Sequence, residues 1–257
     1  MGFVAYQTGS WQWIYRILAI TNFLQFIAYF FLSPETLYFR QPTVTKELVS
    51  QPHELPPTHA PRSITVSWKR IAPTKLRAAD FLKPFELFGY VNVVIPTVAY
   101  TLVFGFASVL MTVEIPQLFT PAFGFNAQQI GLQFIGMIVG SILGEQMGGR
   151  GSDFLMRPSS SSSSVVSKKP EHRIYLAYPG FVCVLVGLIV FCFQTDSTAA
   201  AGNYNITPII GIAIAAFGNQ VITTVLTTYC IDCHPEHSGS IGVFINLVRS
   251  TWGFIGT

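Results

Sequence analysis

The sequence predicts an all-α fold, a polytopic membrane helix bundle of about six transmembrane helices, and three observations carry that prediction. Only 11% of the 257 residues are charged, against roughly 25% in an ordinary soluble domain. Half of the residues are hydrophobic, 22 of them Phe, and the mean hydropathy is +0.47. Apolar runs of about 20 residues, the length needed to cross a bilayer core roughly 30 Å thick, recur along the chain. A soluble core of this size could not hide so much apolar surface, and the composition excludes disordered, collagen-like and disulfide-framework chains. The formal charge of +3 is spread out and forms no basic stripe, so nucleic acid is not an expected partner.

The first span runs over 11–32. Trp11 and Trp13 read as interface anchors, and Arg16, about five residues in, is shallow enough to snorkel outward. A polar stretch rich in Pro and charge follows, giving a cytoplasmic loop over 33–88. The remaining spans are expected at 89–113, 130–148, 174–194, 207–229 and from about 238 to the end. Between the third and fourth lies a second polar loop, 150–173, whose serine run at 159–164 cannot build a core and reads as a flexible tether. Three segments follow from this division: 1–32, the loop 33–88, and a five-helix part over 89–257.

Orientation follows from the Lys and Arg between spans. Arg40, Lys46, Arg62, Lys69, Arg70, Lys75, Arg77 and Lys83 lie in the first long loop, and Arg150, Arg157, Lys168, Lys169 and Arg173 in the second. The N-terminal tail and the loops at 114–129 and 195–205 hold none. Both long loops are therefore expected in the cytoplasm. The sequon Asn205-Ile206-Thr207 falls on the outer side, close to the membrane surface. No secretory signal pattern opens the chain. The last span has no polar anchor after it, and the chain reads like the middle of something longer.

Several stretches resemble the major facilitator superfamily, in its fungal multidrug and organic-cation branch. Trp11-Gln12-Trp13 and Pro34-Glu35-Thr36-Leu37 flank the first span as they often flank the sixth helix of that family. Gly149-Arg150-Gly151-Ser152-Asp153-Phe154-Leu155-Met156-Arg157 resembles its G-x-x-x-D-R-x-x-R loop motif, with Phe154 where a base is usual. Pro170-Glu171-His172-Arg173, Thr228-Tyr229-Cys230-Ile231-Asp232 and Asn246-Leu247-Val248-Arg249 complete the likeness. It covers nearly the whole chain but implies a partial major-facilitator fold, helices six to eleven of twelve. The resemblance implies that Gly149, Asp153 and Arg157 form a cytoplasmic gating loop that latches two halves; an ordinary solvated loop is the plainer reading. It also implies that the helices holding Tyr100, Asn219, Gln220 and Arg249 border a central cavity.

Spacing and depth bear on the same residues. Gly136, Gly140, Gly144 and Gly148 recur every four residues and leave one smooth helix face, a packing seam for a neighbouring helix or a moving contact between domains. Arg249 lies about 12–16 Å into the last span at 1.5 Å per residue, where a charge should face protein or water rather than lipid. Asn219, Gln220 and Tyr100 sit at similar depth and complete a candidate substrate-binding set, although Arg249 could equally just tie helices together. Cys230, Cys233, His234 and His237 spell C-x-x-C-H-x-x-H, but one helix face cannot surround a metal tetrahedrally, so no metal and no cofactor are expected. No P-loop, nucleophile elbow or H-E-x-x-H is present, and the chain is not expected to be an enzyme.

The leading expectation is transmembrane transport of small organic molecules (drug, organic-cation or metabolite class) by a secondary, alternating-access carrier, here a shortened chain. Proton coupling stays open, the plasma membrane is the expected location, and association with other membrane helices is anticipated. The alternative is a non-transporting membrane protein that binds or regulates a full-length transporter.

Overall fold

The structure, a computed structural model, describes residues 2–10, 12–32, 82–156 and 170–255. All the regular structure among them is helical: α1 (Gly2–Thr8), α2 (Gln12–Leu32), α3 (Lys83–Glu86), α4 (Val91–Phe104), α5 (Met111–Phe123), α6 (Ala127–Met156), α7 (Ala177–Ala201), α8 (Thr207–Cys233) and α9 (Ser238–Ile255). The long basic loop up to residue 81, the serine run and Arg157 lie outside the described residues. The chain divides into two compact units, one carrying α2 and the other carrying α1 and α3–α9.

In its own unit α2 buries none of its described side chains. Its apolar surface is all-round, as expected of a helix in lipid. Arg16 lies over the Trp13 ring, 5.0 Å from the centroid.

Among the described residues, five helical stretches are long and apolar enough to cross a membrane: Gln12–Phe30, Val91–Phe123, Ala127–Met156, Pro170–Ala200 and Thr207–Cys233. The sixth expected span is present as α9, 18 residues long, but Asn246, Arg249 and its Gly and Ser residues make it less apolar. Several boundaries expected from the sequence move. The second span does not stop at residue 113: α4, a π-helical turn over Gly105–Leu110 and α5 run on to Phe123. Gly124, at φ 65°, ends it in the left-handed conformation that glycine adopts at least cost. The third span runs past Gly148, so Gly149 and Asp153 are helical rather than in a loop. Its start is a reciprocal cap, with Asn126 N–H donating to Gln129 Oε1 at 3.0 Å and Gln129 N–H to Asn126 Oδ1 at 2.9 Å. The expected loop to residue 88 closes early, because α3 and a 3-10 turn occupy Lys83–Gly89.

Helix α8 forms the centre of the larger unit, with Ile212, Ala215, Ile222 and Val225 wholly buried. Glycines let its neighbours approach. A Cβ on Gly140 would overlap the carbonyl of Ala213, and one on Gly144 that of Phe217. Gly136 and Gly148 face Ile209 and Thr224 in the same row, so the four-residue stripe of α6 lies along α8. A second row, which the sequence reading did not single out, joins α7 to α8. There a Cβ on Gly218 would come within 2.5 Å of the Gly180 carbonyl, and one on Gly187 within 2.6 Å of the Gly211 carbonyl. Lipid is as apolar as these side chains, so close van der Waals packing holds such helices together.

Candidate functional site

The four residues expected to meet substrate come together. Tyr100 and Phe104 of α4, Ser108 of the π-helical turn, Asn219 and Gln220 of α8, and Arg249 of α9 line one cavity of about 170 Å3. Small side chains (Ala107, Ser141, Ala216) leave the space open. The π-helical turn matters here. Its wide i→i+5 ring shifts the register of the residues beyond Phe104, and such turns are frequent at functional sites.

Arg249 is held from three sides. Its Nη1 donates to the Tyr100 hydroxyl at 3.0 Å, its Nη2 donates to Asn246 Oδ1 at 2.8 Å, and its Cζ lies 4.7 Å from the centre of the Phe104 ring. The ring face attracts the cation, and the two hydrogen bonds fix the plane of the guanidinium. Among the described residues no carboxylate lies within ion-pair distance of it. Tyr100 is 3% exposed and Asn219 7%. The Oδ1 of Asn219 is fully buried without a donor. Gln220 Nε2 donates in turn to Glu145 Oε2 of α6.

Glu145, Phe104, Ser108 and Asn246 complete this environment without having been singled out for it from the sequence. For Glu145 the signal was legible, since a carboxylate inside an expected span is by itself a functional pointer. For Phe104 and Ser108 no local signal existed, because a π-helical turn leaves no residue pattern.

The expected gating residues are placed differently. Asp153 meets Arg173, from the 3-10 turn before α7, at 3.4 Å. Arg173 Nη1 also donates to the buried Ser152 hydroxyl at 2.6 Å. Its Nε lies 2.8 Å from Asp232 Oδ2 at the end of α8, a close ion pair whose N–H is not aligned as a hydrogen bond. One arginine thus joins the ends of α6 and α8 to the start of α7. Gly149 has open space where a side chain would be.

Cys230 and Cys233 end α8, while His234 meets Tyr90 edge to face with ring centres 4.7 Å apart and sits 3.6 Å from Glu236. Among the described residues no three His, Cys, Asp or Glu side chains gather as a metal set. At the opposite end of the bundle, Tyr204 packs against Phe119, Phe123 and Phe125 and donates to Gln133 Oε1 at 2.7 Å. Burial pushes its phenol above the usual tyrosine range, and the Gln133 hydrogen bond partly offsets that. A larger, mostly apolar cavity of about 820 Å3 separates α5 from α7, with Glu114 and Asp196 at its edge.

The family model described as Major Facilitator Superfamily matches residues 1–257. The chain belongs to the major facilitator superfamily. It is 27% identical over 255 residues to the MFS transporter fsa7 of a Fusarium species, covering 98% of this chain and 47% of that protein. It is 29% identical over 248 residues to the efflux pump atB of Aspergillus terreus, covering 90% and 48%. Against the MFS-type transporter penM of Penicillium rubens it is 25% identical over 256 residues, covering 96% and 46%. The chain thus spans about half the length of these curated relatives. No solved structure matches it. Family membership and five helices apolar enough to cross a membrane make this facilitator chain an integral membrane protein.

Proposed function

We propose that the chain is part of a secondary carrier of small organic molecules, in which the cavity around Arg249 supplies part of the substrate path. The observation that carries this reading is the convergence of Arg249, Tyr100, Asn219 and Gln220 on one cavity, with Arg249 well inside its helix by residue count. A polar cluster there is costly in lipid and is retained where it meets a substrate or ion. Alternating access needs two bundles that rock about a midplane site, so the carrier is completed by a second bundle. The basic segments between helices, 33–82 and 157–169, orient it with both on the cytoplasmic side, at the plasma membrane. Glu145, hydrogen-bonded to Gln220, is the carboxylate best placed to link proton binding to the cavity.

The test is co-reconstitution of the chain in liposomes with the part of fsa7 that it does not cover. Saturable flux of a labelled small organic compound, lowered by Arg249→Ala, is the expected result. Vesicles that stay inert, together with altered flux when the chain is added to full-length fsa7, would instead favour a regulatory membrane protein.

A further inference from the structure

We propose that the cavity between α4, α8 and α9 receives the carboxylate head group of a small organic acid. This inference rests on the transport reading above and deepens it by naming the charge of the substrate. Among the described residues, Arg249 is the one ionised side chain on the cavity wall. Its described partners are the neutral oxygens of Tyr100 and Asn246 and the ring of Phe104. A guanidinium has five N–H groups. Two are engaged, which leaves three in a plane already fixed and suited to a two-point contact with a carboxylate.

The Tyr100 hydroxyl adds a donor beside the guanidinium. The Tyr100 oxygen accepts from Arg249, so its own O–H is free to donate. Asn219, more than nine-tenths buried, lines the same space and carries a covered Oδ1 without a partner. Donors of Tyr100 on α4 and Arg249 on α9 therefore meet at the space. The nearest carboxylate among the described residues, Glu145, is not on the wall and is engaged by Gln220, so an organic cation entering this space would meet Arg249 with no counter-charge from them. A role limited to tying α9 to α4 would need the Tyr100 bond alone and would leave an uncompensated cation at a depth where that is expensive. The volume, about 170 Å3, is below the usual 300–1,000 Å3 of a whole-ligand pocket. It suits a head group, with the rest of the molecule extending outward.

The experiment compares three probes sharing one aromatic body: 4-hydroxyphenylacetate, its methyl ester and tyramine. Binding of each to the full chain in lipid nanodiscs is measured by calorimetry. Charge-assisted hydrogen bonds to the guanidinium predict about ten- to hundred-fold tighter binding of the acid than of the ester, with tyramine weakest. Arg249→Gln should bring the acid down to the level of the ester. Asn219→Asp, close in shape, should place tyramine above the acid. Equal binding of acid and ester, or tighter binding of tyramine, by the unmodified chain would overturn the anion assignment and leave the transport cavity standing. An acid preference that survives Arg249→Gln would also overturn it. Binding of none of the three would overturn the assignment and the cavity reading together.

Discussion

Replacing Gly140 with Ala tests the packing that places the cavity residues. The added methyl falls on the carbonyl oxygen of Ala213, which belongs to the α8 backbone and cannot swing aside. To restore an ordinary contact, α6 and α8 must part by roughly an ångström, and a gap of that size forfeits a quarter to a half of the dispersion energy of the atoms on either side. Overpacking of this kind costs about 1–3 kcal/mol. Gly149→Ala is the matched control, because it lies on the same helix and meets nothing within 4 Å. Both changes carry the same intrinsic helix gain of up to about 1 kcal/mol, so their difference isolates the steric effect. At roughly 2–4 °C per kcal/mol for a chain of this size, Gly140→Ala should melt about 2–12 °C below Gly149→Ala when unfolding is followed in detergent by tryptophan fluorescence. Equal midpoints for the two variants would refute the close α6–α8 approach.

Single cysteines added at Ser162 and at the exposed Ser197 should react with an impermeant maleimide from opposite sides of the membrane, with Ser162 reached only after permeabilisation. Labelling of both in intact cells would contradict the orientation. Arg173→Ala removes the partner shared by Ser152, Asp153 and Asp232; a partly exposed network of this kind should cost about 1–3 kcal/mol, read as a lower melting midpoint that Arg173→Lys only partly recovers. Tyr204→Phe loses the bond to Gln133 and should cost about 1 kcal/mol. Because the Tyr204 phenol is raised above its usual value near 10, folding favours its neutral form. The deficit of Tyr204→Phe should therefore be complete below pH 10 and shrink as pH rises through the raised value.

The helical, apolar character of the chain and the glycine stripe are properties of local composition, so they can be read from residue order. The ends of the helices are not. Glu114, Pro116 and Pro121 resemble a loop, yet α5 continues through them to a terminating Gly124. The run Gly149–Met156 also reads as a loop, yet it stays helical where Ser152 and Asp153 meet Arg173. Partners far apart in sequence were the least legible. Glu145 and Gln220 lie 75 residues apart, and Tyr100 and Arg249 lie 149 apart. Depth in the membrane placed Tyr100, Asn219, Gln220 and Arg249 at one level, and the crossing of α4, α8 and α9 turned that level into a cavity. The α7–α8 glycine row escaped notice because its members stand seven apart on each helix, too sparse to stand out in a glycine-rich chain.

The most direct test of the central claim is flux through the co-reconstituted carrier at matched protein levels with Arg249 changed. Losing the guanidinium contacts should lower the rate about ten- to hundred-fold in Arg249→Ala. Arg249→Lys, which keeps the charge but not the planar fork, should fall between that variant and the unmodified chain. Unmodified rates in Arg249→Ala would contradict the account.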